Sequence, residues 1–515
     1  MLAFFIAAQG AMSQTPAAFG PAFLEPDPGF AEIGALAEPL GTARLERAAL
    51  LASGVEPERL APYESRLNRI LGDLRSETGK AADPAAAATA AQAEAVLTFL
   101  HDNVLRDYRE DATTLDGVLD SGLFNCVSSA VIYALAARSL GIETAGARTS
   151  DHAFCTVRVG GRSIDVETTN PYGFAPGGKK EFKDSFGRAT GYAYVAPGGY
   201  GDRRAIAVGD LVGLILSNRA SLLERSGRFA EAARLGADYS SLCPGPDSRN
   251  FLVDRVNNLV ADFEGRSDYA DAETAARAAA AAIPGEARLA SLSRDAAYDH
   301  AVVLGQAGDW KGACDAALRV VRAFPSDSAA AALAANSLSA LAQDYAGKGD
   351  FASARRAIAE RASGAGPSAA AAAYAVVGDI ELVSAANDRP FAEASAAADR
   401  IRAAGEASAV RYAEAVERIY GSEAERRGSG GDWLGGAAVA ELGASKAPGD
   451  GNLARLARTL RHLFVVDAHN RFVRLYNSRD YSGAAAAMTA ALAAMPADDL
   501  LKNDLATAEK ALARQ

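Results

Sequence analysis

The sequence is poor in the residues that build metal centres and disulfide frameworks. Four cysteines and five histidines in 515 residues are too few and too scattered to staple a small secreted domain. His101, His300, His462 and His469 share no ligand spacing, so no metal is expected. Aromatic residues make up only 7% of the chain while alanine is abundant, which disfavours a β-sandwich core and favours helices packed on small side chains. There is no basic tract, and the net charge of −11 argues against nucleic acid as a partner. The glycine pairs at 177–178 and 198–199 lie outside any dinucleotide or P-loop frame, so no nucleotide cofactor is expected, nor any other. No apolar run approaches the roughly 18 residues of a membrane span, so no transmembrane span is expected.

What is present changes texture along the chain. Leu2 to Ala8 form a short apolar run, Ala11-Met12-Ser13 offers a cleavage-like site, and the first basic residue is Arg44. Residues 1–13 are read as an atypical export signal whose true start lies upstream. That reading places the protein in the periplasm or cell envelope, a cytoplasmic location being the alternative. Residues 14–40 look like a linker. Residues 41–79 form a helical lead-in, with Leu45, Leu60, Leu67, Leu71 and Leu74 at helical spacing. Residues 80–205 read as a helix-and-strand domain. Residues 206–515 read as helix throughout.

The helical part is periodic. Phe229, Tyr269, Trp310, Phe351, Phe391, Trp433 and Tyr481 recur at intervals of 40 to 48 residues, usually after a Gly-Asp-like turn. Three positions after each lies a small residue: Ala232, Ala272, Ala313, Ala354, Ala394, Gly436 or Ala484. A proline follows at fifteen or sixteen positions in every unit but that of Phe391. A turn, a helix of about four turns and a proline stop make the second half of a helical hairpin. The pattern resembles the tetratricopeptide repeat, with about seven units of about 41 residues where that family has about 34. The resemblance implies a solenoid and a protein partner docked on it. The aromatics are expected to be mostly buried.

The residues able to do chemistry lie upstream. Val127, Ala130, Val131, Ala134 and Leu135 mark a buried helix face that Gly141 ends and a turn at 122–125 begins. Cys126 therefore opens the helix, where unpaired amides and the dipole favour a thiolate. Residues 151–159 and 162–169 read as a hairpin around Gly160-Gly161. His152 opens its first strand, and Asp165 and Glu167 share a face of the second. Thiol, imidazole and carboxylate in this order form the set used for covalent acyl transfer.

Asn125-Cys126, Leu140-Gly141-Ile142 and His152-Ala153-Phe154 resemble the transglutaminase-like superfamily, relatives of papain-type cysteine hydrolases. The likeness covers about residues 95–185. It implies an α+β fold for this region and a catalytic Cys126 and His152. It also implies a third group where relatives carry an acid: an ungapped count selects Glu167, whereas an Ile-Asp pair selects Asp165. The loop after this acid contains Tyr172 and Phe174, which could wall the substrate cleft. The expected fold class is thus an α+β transglutaminase-like domain followed by an all-α helical-repeat solenoid. The expected activity is acyl transfer through a thioester on Cys126, acting on a peptide or protein substrate as a peptidase or amidase. Hydrolysis is expected ahead of transfer to an amine. The alternative is an inactive transglutaminase-fold and repeat protein that binds peptides or acts as a scaffold.

Overall fold

The computed structural model describes residues 21–36, 41–79, 88–177, 179–182, 201–449 and 451–514. The proposed signal segment, Gly178 and the glycine pair at 198–199 lie outside these residues. The chain divides into two compact units, residues 1–297 and 298–515.

Unit 1 carries all the described strands. Its elements run α1 (Pro28–Ile33), α2 (Thr42–Ala52), α3 (Leu60–Glu77), α4 (Ala90–Asn103), β1 (Asp107–Tyr108), α5 (Leu115–Ser121), β2 (Leu123–Phe124), α6 (Cys126–Ser139), β3 (Glu143–Arg148), β4 (Ala153–Val159), β5 (Arg162–Val166) and β6 (Arg204–Ile206). Next come α7 (Val208–Arg225), α8 (Phe229–Leu242), α9 (Pro246–Gly265) and α10 (Tyr269–Ala282).

Helix α6 is apolar on every side, and Val127 through Ala137 are all buried; a helix of that composition belongs at the centre of a core. Strands β5-β4-β3-β6 form an antiparallel sheet in that order, which packs on α6 through β3 and β4. Gly160 and Gly161 both take positive φ, as the tight hairpin turn between β4 and β5 requires. The core around the sheet continues past Ile206: Val208, Leu211, Val212, Ile215 and Leu216 of α7 join it, as do Tyr239 and Leu242.

Beyond Ile206 every described element is helical. Helix α11 (Ala287–Gln306) spans the division between units. Unit 2 continues with α12 (Trp310–Ala323), α13 (Ser328–Gly347), α14 (Phe351–Ala365), α15 (Pro367–Asp388), α16 (Phe391–Ala404), α17 (Ala409–Ser429), α18 (Trp433–Lys446), α19 (Gly451–Asn477), α20 (Tyr481–Ala494) and α21 (Asp499–Leu512). From α12 on, each helix packs on the next, and α13, α15, α17, α19 and α21 also pack each on the one before it in that series.

Each recurring aromatic is the first residue of a helix, α8, α10, α12, α14, α16, α18 or α20. The punctuation is physical. Asp309, Asp350, Asp432 and Asp480 cap their helices by accepting from a backbone N–H three residues on. The residue before each cap turns left-handed, as at Gly308, Gly349 and Gly431, and even Ser267 and Arg479 take positive φ there. A residue preceding proline is pushed out of the α region, so α8, α10, α12, α18 and α20 end two residues before theirs. Helix α16 has no such proline and stops instead at the left-handed Gly405.

The small residue of each unit is fully packed: Ala232, Ala272, Ala313, Ala354 and Ala484 have no exposed surface. At Gly436 a Cβ would lie 2.7 Å from the Ala424 carbonyl oxygen, so this backbone approach demands glycine. The aromatics are mostly but not fully buried, since the first residue of a helix keeps one edge towards the open turn before it. Helix α15 is the one described helix long and apolar enough to cross a membrane. It packs into unit 2 through Ala370, Ala373, Val377 and Leu382, and its buried Glu381 pairs with Arg355, Arg389 and Arg400.

Candidate active site

Asn125 sets the geometry of the thiol. Its side-chain oxygen accepts from the N–H groups of Val127 and Ser128, and Ser128 Oγ accepts from the Asn125 N–H at 2.9 Å, a reciprocal cap. Asn125 Nδ2 donates to the Glu110 carbonyl at 2.9 Å, anchoring the cap from outside. Cys126 is thereby fixed as the first helical residue. Its own N–H has no acceptor within the helix, and the residue sits at the positive end of the helix dipole. Cys126 is half-buried, and all four cysteines are free thiols.

His152 lies at the entrance to β4, its carbonyl accepting from Thr149 N–H at 2.9 Å. Its ring makes a side-chain hydrogen bond with Cys126. Its Nε2 lies 2.7 Å from Glu167 Oε2, which leaves Nδ1 for the thiol. Burial works against the charged imidazolium, but the Glu167 carboxylate and the hydrogen bonds to Cys126 and Glu167 outweigh it and raise the pKa to about 11. The imidazole therefore carries a positive charge beside the sulfur across the physiological range.

The structure separates the two candidate acids. Glu167 is buried just beyond β5. Its Oε1 accepts from Thr169 Oγ1 at 2.8 Å and Thr169 N–H at 3.3 Å, so both carboxylate oxygens are held. Asp165 belongs elsewhere. The Arg203 guanidinium donates to both of its oxygens, at 2.6 and 2.8 Å, and Thr156 Oγ1 lies 3.3 Å from it. Arg203 in turn covers the Phe154 ring at 5.0 Å, and Phe154 stacks on His152 with centroids 6.1 Å apart. Asp165 thus reaches the imidazole only through an arginine and a phenyl ring.

The loop after Glu167 holds the acid and does not wall a cleft. Gly173 carbonyl accepts from Glu167 N–H at 2.8 Å, and Phe174 bridges Val166 and is buried. Tyr172 is exposed. Neither Tyr172 nor Phe174 lines the cleft at Cys126, because the loop folds back onto the end of β5 and its aromatics point into the core or into solvent.

That cleft has a volume of about 300 Å³ and opens over Cys126 and His152. One wall is the turn between β3 and β4; another is a stripe of α7 made by Leu214, Ser217, Asn218, Ser221, Leu222 and Arg225. The opposite side of α7 is buried in the core, so its two faces divide cleanly between packing and cleft. Sequence reasoning assigned this helix to the repeats, where a polar stripe reads as a solvated face.

His101 and Thr169 were also missed. His101 Nε2 lies 3.1 Å from the Thr168 carbonyl, and Ser129 Oγ lies 2.8 Å from Thr168 Oγ1, tying the acid-bearing turn to α4 and α6. Burial lowers the His101 pKa despite that carbonyl, so this histidine is a neutral strut. Cys155 is fully buried, its thiol donating to the Ala130 carbonyl at 3.2 Å, and burial pushes its pKa far up. Among the described residues no cluster of three or more His, Cys, Asp or Glu could hold a metal. No protein-family model matches the chain, and no curated protein matches it.

Proposed function

We propose that the protein is a cysteine acyl-transfer enzyme of the transglutaminase-like type, acting on a peptide or amide bond. The single observation that carries this reading is the continuous line from the Cys126 thiol through His152 to the doubly held Glu167 carboxylate. The Cys126 sulfur attacks the substrate carbonyl carbon, and its proton resides on His152 Nδ1. The carbonyl oxygen takes up negative charge, which the N–H of Cys126 at the start of α6 is placed to stabilise. Collapse breaks the carbon–nitrogen bond, and His152 gives its proton to the departing amine. The resulting thioester is then attacked by water, His152 taking one water proton, and the sulfur leaves as the acid is released. Glu167 stays ionised throughout and keeps the ring in place.

Hydrolysis is the proposed outcome in preference to transfer to an amine. The all-helical remainder is proposed to stack tetratricopeptide-like hairpins into a solenoid that docks a protein partner, supported by the recurring aromatic, small residue and helix stop.

The test is labelling with a thiol-reactive peptide probe near neutral pH. We expect a single rapid label on Cys126, lost in Cys126→Ala, while buried Cys155, Cys243 and Cys314 stay unlabelled in the folded chain. Labelling no faster than that of an unfolded control would favour the peptide-binding alternative.

A further inference from the structure

Two exposed residues of opposite charge, Glu110 and Arg225, line the cleft without a charged partner among the described residues. Among the described residues, neither the Arg225 guanidinium nor the Glu110 carboxylate makes a hydrogen bond or an ion pair. The other charged side chains on the cleft wall are engaged. Arg148 faces Asp247 at 3.9 Å, and Asp151 accepts from Thr149 Oγ1 at 2.9 Å. His152 is paired with Glu167.

The two free charges sit at different places along the cleft. The Glu110 backbone is held beside the nucleophile, its carbonyl accepting from Asn125, the residue before Cys126, and its side chain projects from that point on the cleft wall. The nearby Thr113 Oγ1 accepts from Asn218 Nδ2 at 3.0 Å, which fixes α7 against this loop. Arg225 lies seven residues beyond Asn218 on the same cleft-facing stripe, about 10 Å further along the helix axis. An extended chain covers that distance in about three residues. A positive and a negative group that share one cleft but do not meet are suited to a ligand carrying the complementary charges at matching separation.

We propose that the acyl donor is a short dipolar peptide segment, with an ammonium group set against Glu110 and a carboxylate set against Arg225. This rests on the reading of Cys126 as the nucleophile and names the substrate class for it. Leu214 and Leu222 supply apolar surface between the polar contacts, and the Ser217 and Ser221 hydroxyl oxygens can accept from the peptide backbone.

The experiment uses three reagents that modify the same sulfur: methyl, 2-sulfonatoethyl and 2-aminoethyl methanethiosulfonate, which are neutral, anionic and cationic. Rates on Cys126 of the full chain are read as ratios to the neutral reagent. Arg225→Gln should lower the anionic-to-neutral ratio by about 1.5- to 2-fold, as expected for removing one charge roughly 10 Å away at low salt. Glu110→Gln should lower the cationic-to-neutral ratio by a similar factor. Both effects should shrink at high salt. If the neutral reagent labels Cys126 normally and either ratio stays unmoved, the dipolar donor is wrong and the nucleophile stands. If the neutral reagent fails to modify Cys126 in the unsubstituted protein, the nucleophile fails and the donor assignment falls with it.

Discussion

Replacing Glu167 by glutamine should slow acylation of Cys126 on the order of a thousandfold, while Asp165→Asn should leave it nearly unchanged. The two carboxylates are two residues apart, so the contrast isolates position from charge. Glu167 meets the His152 ring at 2.7 Å, whereas Asp165 is bonded to Arg203. Glutamine preserves shape and keeps an acceptor for Thr169, yet it removes the charge that holds the imidazolium. Rates of probe labelling, with folding confirmed by circular dichroism, measure the effect.

The same substitution should move the His152 titration sharply down from about 11, since the Glu167 charge is the leading influence that raises it. Ring-carbon NMR reads this directly. The stability linkage has a definite sign. A histidine raised from 6.5 to about 11 stabilises the fold fully below 6.5 and loses that contribution as pH rises to about 11. Wild type should therefore lose stability relative to Glu167→Gln across that alkaline interval.

Gly173→Ala should disable the site without touching any reacting group. A Cβ at residue 173 would lie 1.9 Å from the Glu167 carbonyl oxygen, a backbone atom with little room to yield. The loop would have to lift, breaking the Glu167 N–H to Gly173 carbonyl bond and freeing the acid from Thr169. A stability loss of about 1–3 kcal/mol follows from overpacking of this kind. Probe labelling should fall along with the thermal midpoint. A variant that labels at the wild-type rate would show that the loop does not position Glu167.

How much of this was legible beforehand follows from which interactions are local. Cys126 at a helix start could be read because Asn125, the apolar run and Gly141 all lie within one helix and its caps. The repeat was legible for the same reason: cap, small residue and proline sit at fixed offsets along the chain. The choice between Asp165 and Glu167 was not, since both fit the strand alternation. It is decided by Arg203, which comes from beyond the strand, and by the turn at Gly173 that folds back over residue 167. The α7 wall was hidden because Ser217, Asn218 and Ser221 look like a solvated stripe until the core packs the other face. The Asn125–Ser128 spacing was a visible capping signal, and it would have fixed the Cys126 position more firmly than the apolar pattern alone.

The most direct measurement is peptide mapping by mass spectrometry after brief exposure of the full chain to p-nitrophenyl acetate. A thioester-linked acetyl group is expected on Cys126, formed with a burst of nitrophenol and absent in His152→Ala. An adduct missing from Cys126, or spread evenly over Cys126, Cys155, Cys243 and Cys314, would contradict this expectation.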